Sequence, residues 1–321
     1  MSIKVQAILP RGLRSTRCIS TPPPGIDPRV LFLGAYPRFS PLCRSVEEPG
    51  LAVIAVDDAT GSLIGSCGIR PQLGRPVIAT VGRHERCDLV LWDASVALRH
   101  LAILVEPVTS WEHGTDIHYR VFDLRTTLGI QDEQGRTLRG FRADGAAIIH
   151  CGRHTLFLLP LGDRTDWPES AGDAWDMLPE RVYLDERDSV PSRRVRNASL
   201  IFRTAPLHDT IDLIAADWIA NLEVEQRTRN GALAVGRAAL QRGVLIGRYD
   251  RCDLPGAQDN TLSRVHALLV EVAGRRVIAD LSSLYGLGLV DSPRSRLLEL
   301  VDASRIWLGR GTRLTWRERP V

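Results

Sequence analysis

The chain has 321 residues, 44% of them hydrophobic and 25% charged, with a formal net charge of +3. That length suits two or three domains, and the composition excludes collagen-like, wholly disordered and membrane-spanning classes. So small a net charge gives no ground for a nucleic-acid partner or an anionic membrane surface. Lysine occurs once, at Lys4, and arginine supplies the rest of the permanent positive charge, so an arginine carries weight only through its motif. The six cysteines, Cys18, Cys43, Cys67, Cys87, Cys151 and Cys252, include no Cys-x-x-Cys pair. A zinc ribbon or thioredoxin-like site is therefore not expected, and scattered reduced thiols suit a cytoplasmic protein. No apolar run approaches the length of a membrane span, and Lys4 to Pro10 is too short for a signal-peptide core.

Residues 1–50 are predicted to be a Pro/Arg-rich N-terminal extension, partly ordered. Thr21-Pro22-Pro23-Pro24-Gly25 is incompatible with regular helix or a central strand. Val30-Leu31-Phe32-Leu33 is apolar enough to dock on a neighbour. Ser15, Ser20 and Thr21 lie near arginines and would suit a kinase, although an unmodified linker is the simpler reading. From Leu51 the pattern changes to short β-like runs split by turns. Leu51–Val56 meets the turn cluster Asp57-Asp58-Ala59-Thr60-Gly61, and Pro76–Val81 runs into Gly82-Arg83.

Residues 161–229 are predicted to be a linker. Its first part is acidic, with Trp167 and Trp175 interleaved. Further on, Ile211, Leu213, Ile214, Trp218, Ile219 and Leu222 fall at gaps of three and four after Asp209, a plausible N-cap. That spacing predicts one amphipathic helix, packed on a sandwich or offered to a partner.

Residues 230–321 then repeat residues 51–160. Gly82-Arg83-His84-Glu85-Arg86-Cys87-Asp88-Leu89 matches Gly247-Arg248-Tyr249-Asp250-Arg251-Cys252-Asp253-Leu254 at an offset of 165. His100 and His266 differ by 166. Asp123 and Asp280, Gly129 and Gly286, and Gly152 and Gly309 all differ by 157. A near-constant offset marks duplicated domains. Cys87 and Cys252 then occupy one core slot in two copies and are no disulfide pair.

In the second copy the strand-like Val244-Leu245-Ile246 ends at Gly247-Arg248, and Ser263-Arg264-Val265-His266 leads into Ala267–Val270. If the two loops meet, a planar fork of N–H donors and a hydroxyl face one spot, a combination suited to a phosphate. This stretch, with Ser283-Leu284-Tyr285-Gly286 and Leu308-Gly309, resembles the forkhead-associated (FHA) domain over about residues 230–318. The family skeleton is Gly-Arg, Ser-x-x-His, Ser-x-Asn-Gly and a closing Leu-Gly. The resemblance implies an all-β fold: two FHA-like β-sandwiches in tandem, joined by the linker and its helix. It implies that Arg248 and Ser263 hold the phosphate of a phosphothreonine peptide and that His266 braces the loop. Gly247 and Gly286 are structural members of the motif, and Arg264 and Tyr285 are rim candidates. Tyr285 stands where the family has Asn, the residue that holds the peptide backbone.

The first copy departs further. Arg83 and His100 remain, but Ala97 replaces the serine and Leu128 stands at the Asn position. One lost charge-assisted hydrogen bond costs about 1.5–3 kcal/mol, roughly ten- to hundred-fold in affinity. The first copy is therefore expected to bind phosphopeptide weakly or not at all.

The implied function is a non-catalytic phosphothreonine-binding adaptor. Its partners would be a phosphorylated protein and a Ser/Thr kinase or its substrates, with no cofactor, no nucleic acid, no membrane span, and an oligomer possible. The alternative is a phosphate-independent scaffold subunit of an assembly. Ser263 and His266 lack an orienting third group and a nucleophile elbow, so an enzyme is not expected. His150-Cys151-Gly152-Arg153-His154 is a weak metal candidate, because alternating strand faces separate its histidines unless the chain stays regular.

Overall fold

A computed structural model describes residues 27–45, 49–107, 117–162, 167–178, 184–185, 217–226, 229–255, 259–289 and 293–319. The fold is all-β, with short helices at its margins.

In the first sandwich the outer sheet runs Leu63–Ile69, Gly50–Asp57, His154–Leu161, Ala147–Cys151, Ile130–Gln131, Thr137–Leu138. Its inner sheet runs Leu184–Asp185, Gly140–Ala143, Tyr119–Asp123, Leu101–Val105, Val77–Gly82, Leu89–Val90. The second sandwich has an inner sheet of Leu254–Pro255, Val244–Gly247, Ala267–Val272, Arg275–Asp280 and Leu297–Leu300. Its outer sheet is Arg229–Gly236, Trp218–Gln226, Thr312–Glu318, Arg305–Leu308 and Leu287–Leu289. The strand orders correspond, so the repeat seen in sequence extends to topology.

Each sandwich is filled by alternate residues of its facing sheets. Val53, Val81, Ile103, Phe141 and Leu158 build the first core, and Leu222, Ile246, Leu269, Ile306 and Trp316 the second. A third apolar layer joins the two inner sheets. Ile78, Ala102, Leu104, Phe122 and Leu124 of the first meet Leu245, Leu268, Val270, Val277, Ala279 and Leu281 of the second. Burying each large side chain here contributes about 1.5–3 kcal/mol. The inner strands are thus apolar on both faces, which explains unbroken runs such as Leu101–Val105.

One expectation is sharpened and two need correction. The extension contains a helix, α1 (Pro28–Arg44), capped by the Asp27 side chain with Pro28 in its first turn. Pro37 and Pro41 lie inside it on its solvent side, while Leu31, Phe32, Ala35, Tyr36, Phe39 and Cys43 are buried. They pack on Ile54, Phe157 and Leu159 of the outer sheet, together with α2 (Ala171–Asp176). Docking thus outweighs the missing proline donors. Second, the expected linker helix is not formed from Trp218 onward, where the chain is the strand Trp218–Gln226. Trp218 and Leu222 are four apart, which fits a period of two as well as a helical turn, and Ala220, Leu222 and Val224 are its buried positions. Asp209, Ile211, Leu213 and Ile214 lie outside the described residues. Third, the second sandwich takes its first two strands from Trp218–Gln226 and Arg229–Gly236, so residue 230 falls within a hairpin. α3 (Arg237–Arg242) follows that hairpin.

Candidate functional site

The Gly-Arg turn and the Ser-x-x-His loop lie side by side because the backbone binds them together. The Arg248 N–H donates to Ser263 O at 3.0 Å, and the Tyr249 N–H to Arg264 O at 3.0 Å. The approach is so close that a Cβ on Gly247 would lie 2.5 Å from Arg264 O, and one on Gly82 2.5 Å from Leu98 O. Glycine precedes the arginine in both copies for that reason.

His266 is buried and braces this frame. Its Nδ1 accepts the Ser263 N–H at 3.1 Å, and its Nε2 lies 3.2 Å from Gly286 O. Nδ1 is therefore the acceptor, and Nε2 carries the proton toward the carbonyl. Burial pushes the imidazole pKa down, with Asp280 and the Gly286 carbonyl pulling the other way. Neither ring nitrogen is bonded to the Ser263 hydroxyl, so the pair is not arranged as nucleophile and base. The first copy reproduces the brace. His100 Nδ1 accepts the Ala97 N–H at 3.1 Å, and its Nε2 lies 2.9 Å from Gly129 O. Cys87 Sγ and Cys252 Sγ face Leu98 O and Arg264 O respectively, one slot in two copies.

Ser263 Oγ accepts the Leu284 N–H at 3.2 Å, leaving its own proton to be donated elsewhere. Arg248 Nη1 donates to Asn260 Oδ1 at 3.3 Å. Asn260 is the member that motif reading missed; an exposed loop Asn three residues before the serine carries no periodic signal. Next to it, burial pushes the Asp259 carboxyl up, but hydrogen bonds from Thr261 and Thr312 outweigh this and hold its pKa below the usual carboxylate range. Arg264 is exposed, with its guanidinium over the Tyr249 ring at 5.2 Å. Tyr285 is half-buried, and the Arg310 guanidinium covers its ring at 4.7 Å. Gly286 has a φ of 67°, a conformation glycine adopts freely, and its N–H donates to Ser283 Oγ at 2.8 Å.

The first copy keeps the frame and changes the chemistry. Arg83 turns its Nε to Val96 O at 3.3 Å, and Ala97 supplies no hydroxyl. Its loops expose Trp92 (73%) and Leu128 (48%). The two histidines of the metal candidate face opposite sides of their hairpin, His150 paired with Thr155 and His154 with Cys151. Among the described residues no group of three His, Cys, Asp or Glu is placed to hold a metal ion. Also among them, no helix is long and apolar enough to cross a membrane.

No family model matches the chain, and no curated protein matches it. Solved structures do. FHA-1 of Mycobacterium tuberculosis Rv1747 is 28% identical over 31% of this chain and 98% of its own, with a TM-score of 0.25. EmbR of Mycobacterium tuberculosis, solved in complex with a low affinity phosphopeptide, is 20% identical over 30% of this chain and 24% of its own, with a TM-score of 0.26. The FHA domain of the Chlamydia trachomatis protein CT664 is 15% identical over 34% of this chain and 96% of its own, with a TM-score of 0.27. Over one domain-sized region, about 32% of its length, the chain is similar to solved forkhead-associated domains.

Proposed function

We propose that the C-terminal sandwich is a non-catalytic reader of phosphothreonine peptides and that the protein acts as an adaptor. The observation that supports this reading is the backbone hydrogen bond from Arg248 N–H to Ser263 O, which holds the arginine's turn against the serine's loop, where the Ser263 hydroxyl accepts from Leu284 and keeps its own proton to donate. A phosphate dianion has three oxygens to satisfy and takes charge-assisted bonds from such a pair. Arg264 adds positive charge at the rim, and Tyr285 offers an apolar face to a peptide side chain. Such a ligand is made by a Ser/Thr kinase, so the partner is a phosphorylated protein.

The test is a phosphothreonine peptide library on the full chain, with unphosphorylated controls. Arg248→Ala is expected to weaken the best phosphopeptide at least about a hundredfold without lowering the melting temperature. Retained affinity in the folded variant would remove the reading.

A phosphate-independent scaffold is the second reading. Tyr285 under Arg310, where the family has Asn, and the exposed apolar Trp92 and Leu128 favour it. Capture of the same partners before and after phosphatase treatment distinguishes the two.

A further inference from the structure

The loop that donates the Leu284 N–H to Ser263 is held from behind by the other sandwich. Buried Arg99 donates through Nε to Leu281 O and through Nη2 to Ser282 O, both at 2.5 Å. Arg86 Nη1 reaches Ser283 O at 3.4 Å and Leu284 O at 3.3 Å. Four successive carbonyls of the second copy, 281 to 284, thus point at two guanidiniums of the first. Thr80 Oγ1 adds a 2.6 Å contact to Ser282 Oγ. Ser282 has a φ of 56°, a left-handed conformation it shares with its counterpart in the first copy, Arg125 at 55°.

The arrangement is lopsided. Arg251, the counterpart of Arg86, reaches a single carbonyl of the first copy's equivalent loop, Arg125 O at 3.3 Å. The counterpart of Arg99 is Val265, which has no donor to offer. The first copy's loop is tied back instead by its own side chain, Arg125 donating to Arg251 O at 3.0 Å and to the Asp253 carboxylate, so it is the grip on loop carbonyls that comes mainly from the copy without the phosphate-facing serine.

We propose that Arg99 and Arg86 of the first sandwich are positioning residues for the phosphate site of the second. With its carbonyl edge fixed, the loop presents the Leu284 amide to Ser263, and that bond turns the serine proton outward toward the ligand. The degenerate copy is then a working part of the site, although it touches no ligand. This rests on the reading of Arg248 and Ser263 given above.

The experiment uses the full chain and a phosphothreonine peptide selected from the library, with its unphosphorylated form. Arg86→Ala removes two carbonyl contacts at an exposed position. Arg99→Lys keeps the charge but loses the fork. Each is expected to weaken the phosphopeptide about tenfold, to shrink the ratio of phosphorylated to unphosphorylated affinity, and to speed hydrogen exchange at the Leu284 amide. Arg275→Ala breaks another contact between the sandwiches, Arg275 Nη1 to Gly74 O at 3.0 Å, at the far end of its strand, and is expected to change none of these. Should Arg99→Lys fail to fold, Arg86→Ala decides. Wild-type affinity, ratio and exchange in folded Arg86→Ala overturn the proposal alone. Absence of any phosphothreonine binding by the wild type overturns the functional reading and this one with it.

Discussion

The outer sheets of the two sandwiches make an instructive pair. In the first, Gly50–Asp57 is apolar at nearly every position and buried on both faces, because α1 and α2 cover the side away from the core. In the second, the matching strand Trp218–Gln226 alternates, and its outward side carries Glu223 and Glu225, paired with Arg317 and Arg313. The same topology is finished with an apolar cap in one case and with surface ion pairs in the other. Such exposed pairs contribute about 0–1 kcal/mol each, far less than burial of an apolar face, so the cap contributes more to its sheet than the ion pairs do to theirs.

The largest effect should come from breaking the cap. Phe32 lies 5.2–5.4 Å, centroid to centroid, from Tyr36, Phe39, Phe157 and Trp175. Phe32→Ala is expected to cost about 3–5 kcal/mol in urea unfolding. Truncating Glu225 to Ala on the other outer sheet should cost under about 1 kcal/mol, and equal losses would erase the distinction.

The recognition loops sharpen the contrast at lower energy. Ser263→Ala should weaken a phosphothreonine peptide about ten- to hundred-fold by calorimetry, since it deletes one charge-assisted bond and leaves the brace intact. Ala97→Ser should restore little, because Arg83 is turned onto Val96 O and Leu128 replaces the polar rim.

The smallest effect is one the copies should share. Burial lowers the pKa of both His100 and His266. The unfolded chain, with histidines near 6.5, takes up protons first as pH falls, so stability contributed by the neutral rings is present above about 6.5 and lost on acidification below it. Unfolding free energy measured from about pH 7.5 to 5.5 should fall, less steeply in His100→Gln and His266→Gln. An unchanged slope in both would mean that the brace is not the titrating element.

The duplication, the strand character of the repeats and the Gly-Arg, Ser-x-x-His and Leu-Gly positions were legible in the sequence, because glycine punctuation and a fixed offset are local signals. α1 was not, since prolines at 37 and 41 disfavour a helix interior and the docking on Phe157 that offsets them is not a local signal. Trp218–Gln226 was misread because its visible apolar spacing satisfied two periods. The contacts of Arg86 and Arg99 were invisible for a different reason: a run such as Leu101–Val105 reveals that both faces are covered without saying by what.

What covers them has a practical consequence. The inner sheets use their second apolar face on each other, through Phe122, Leu104, Leu268 and Val270. Severing the chain between the repeats would not release two self-sufficient modules. Each half would carry a raw, sticky plane, and one of them would also lose the arginines that clasp its loop. Affinities measured on an isolated half would therefore understate what the intact tandem does, and clumping of such halves would be a property of the cut.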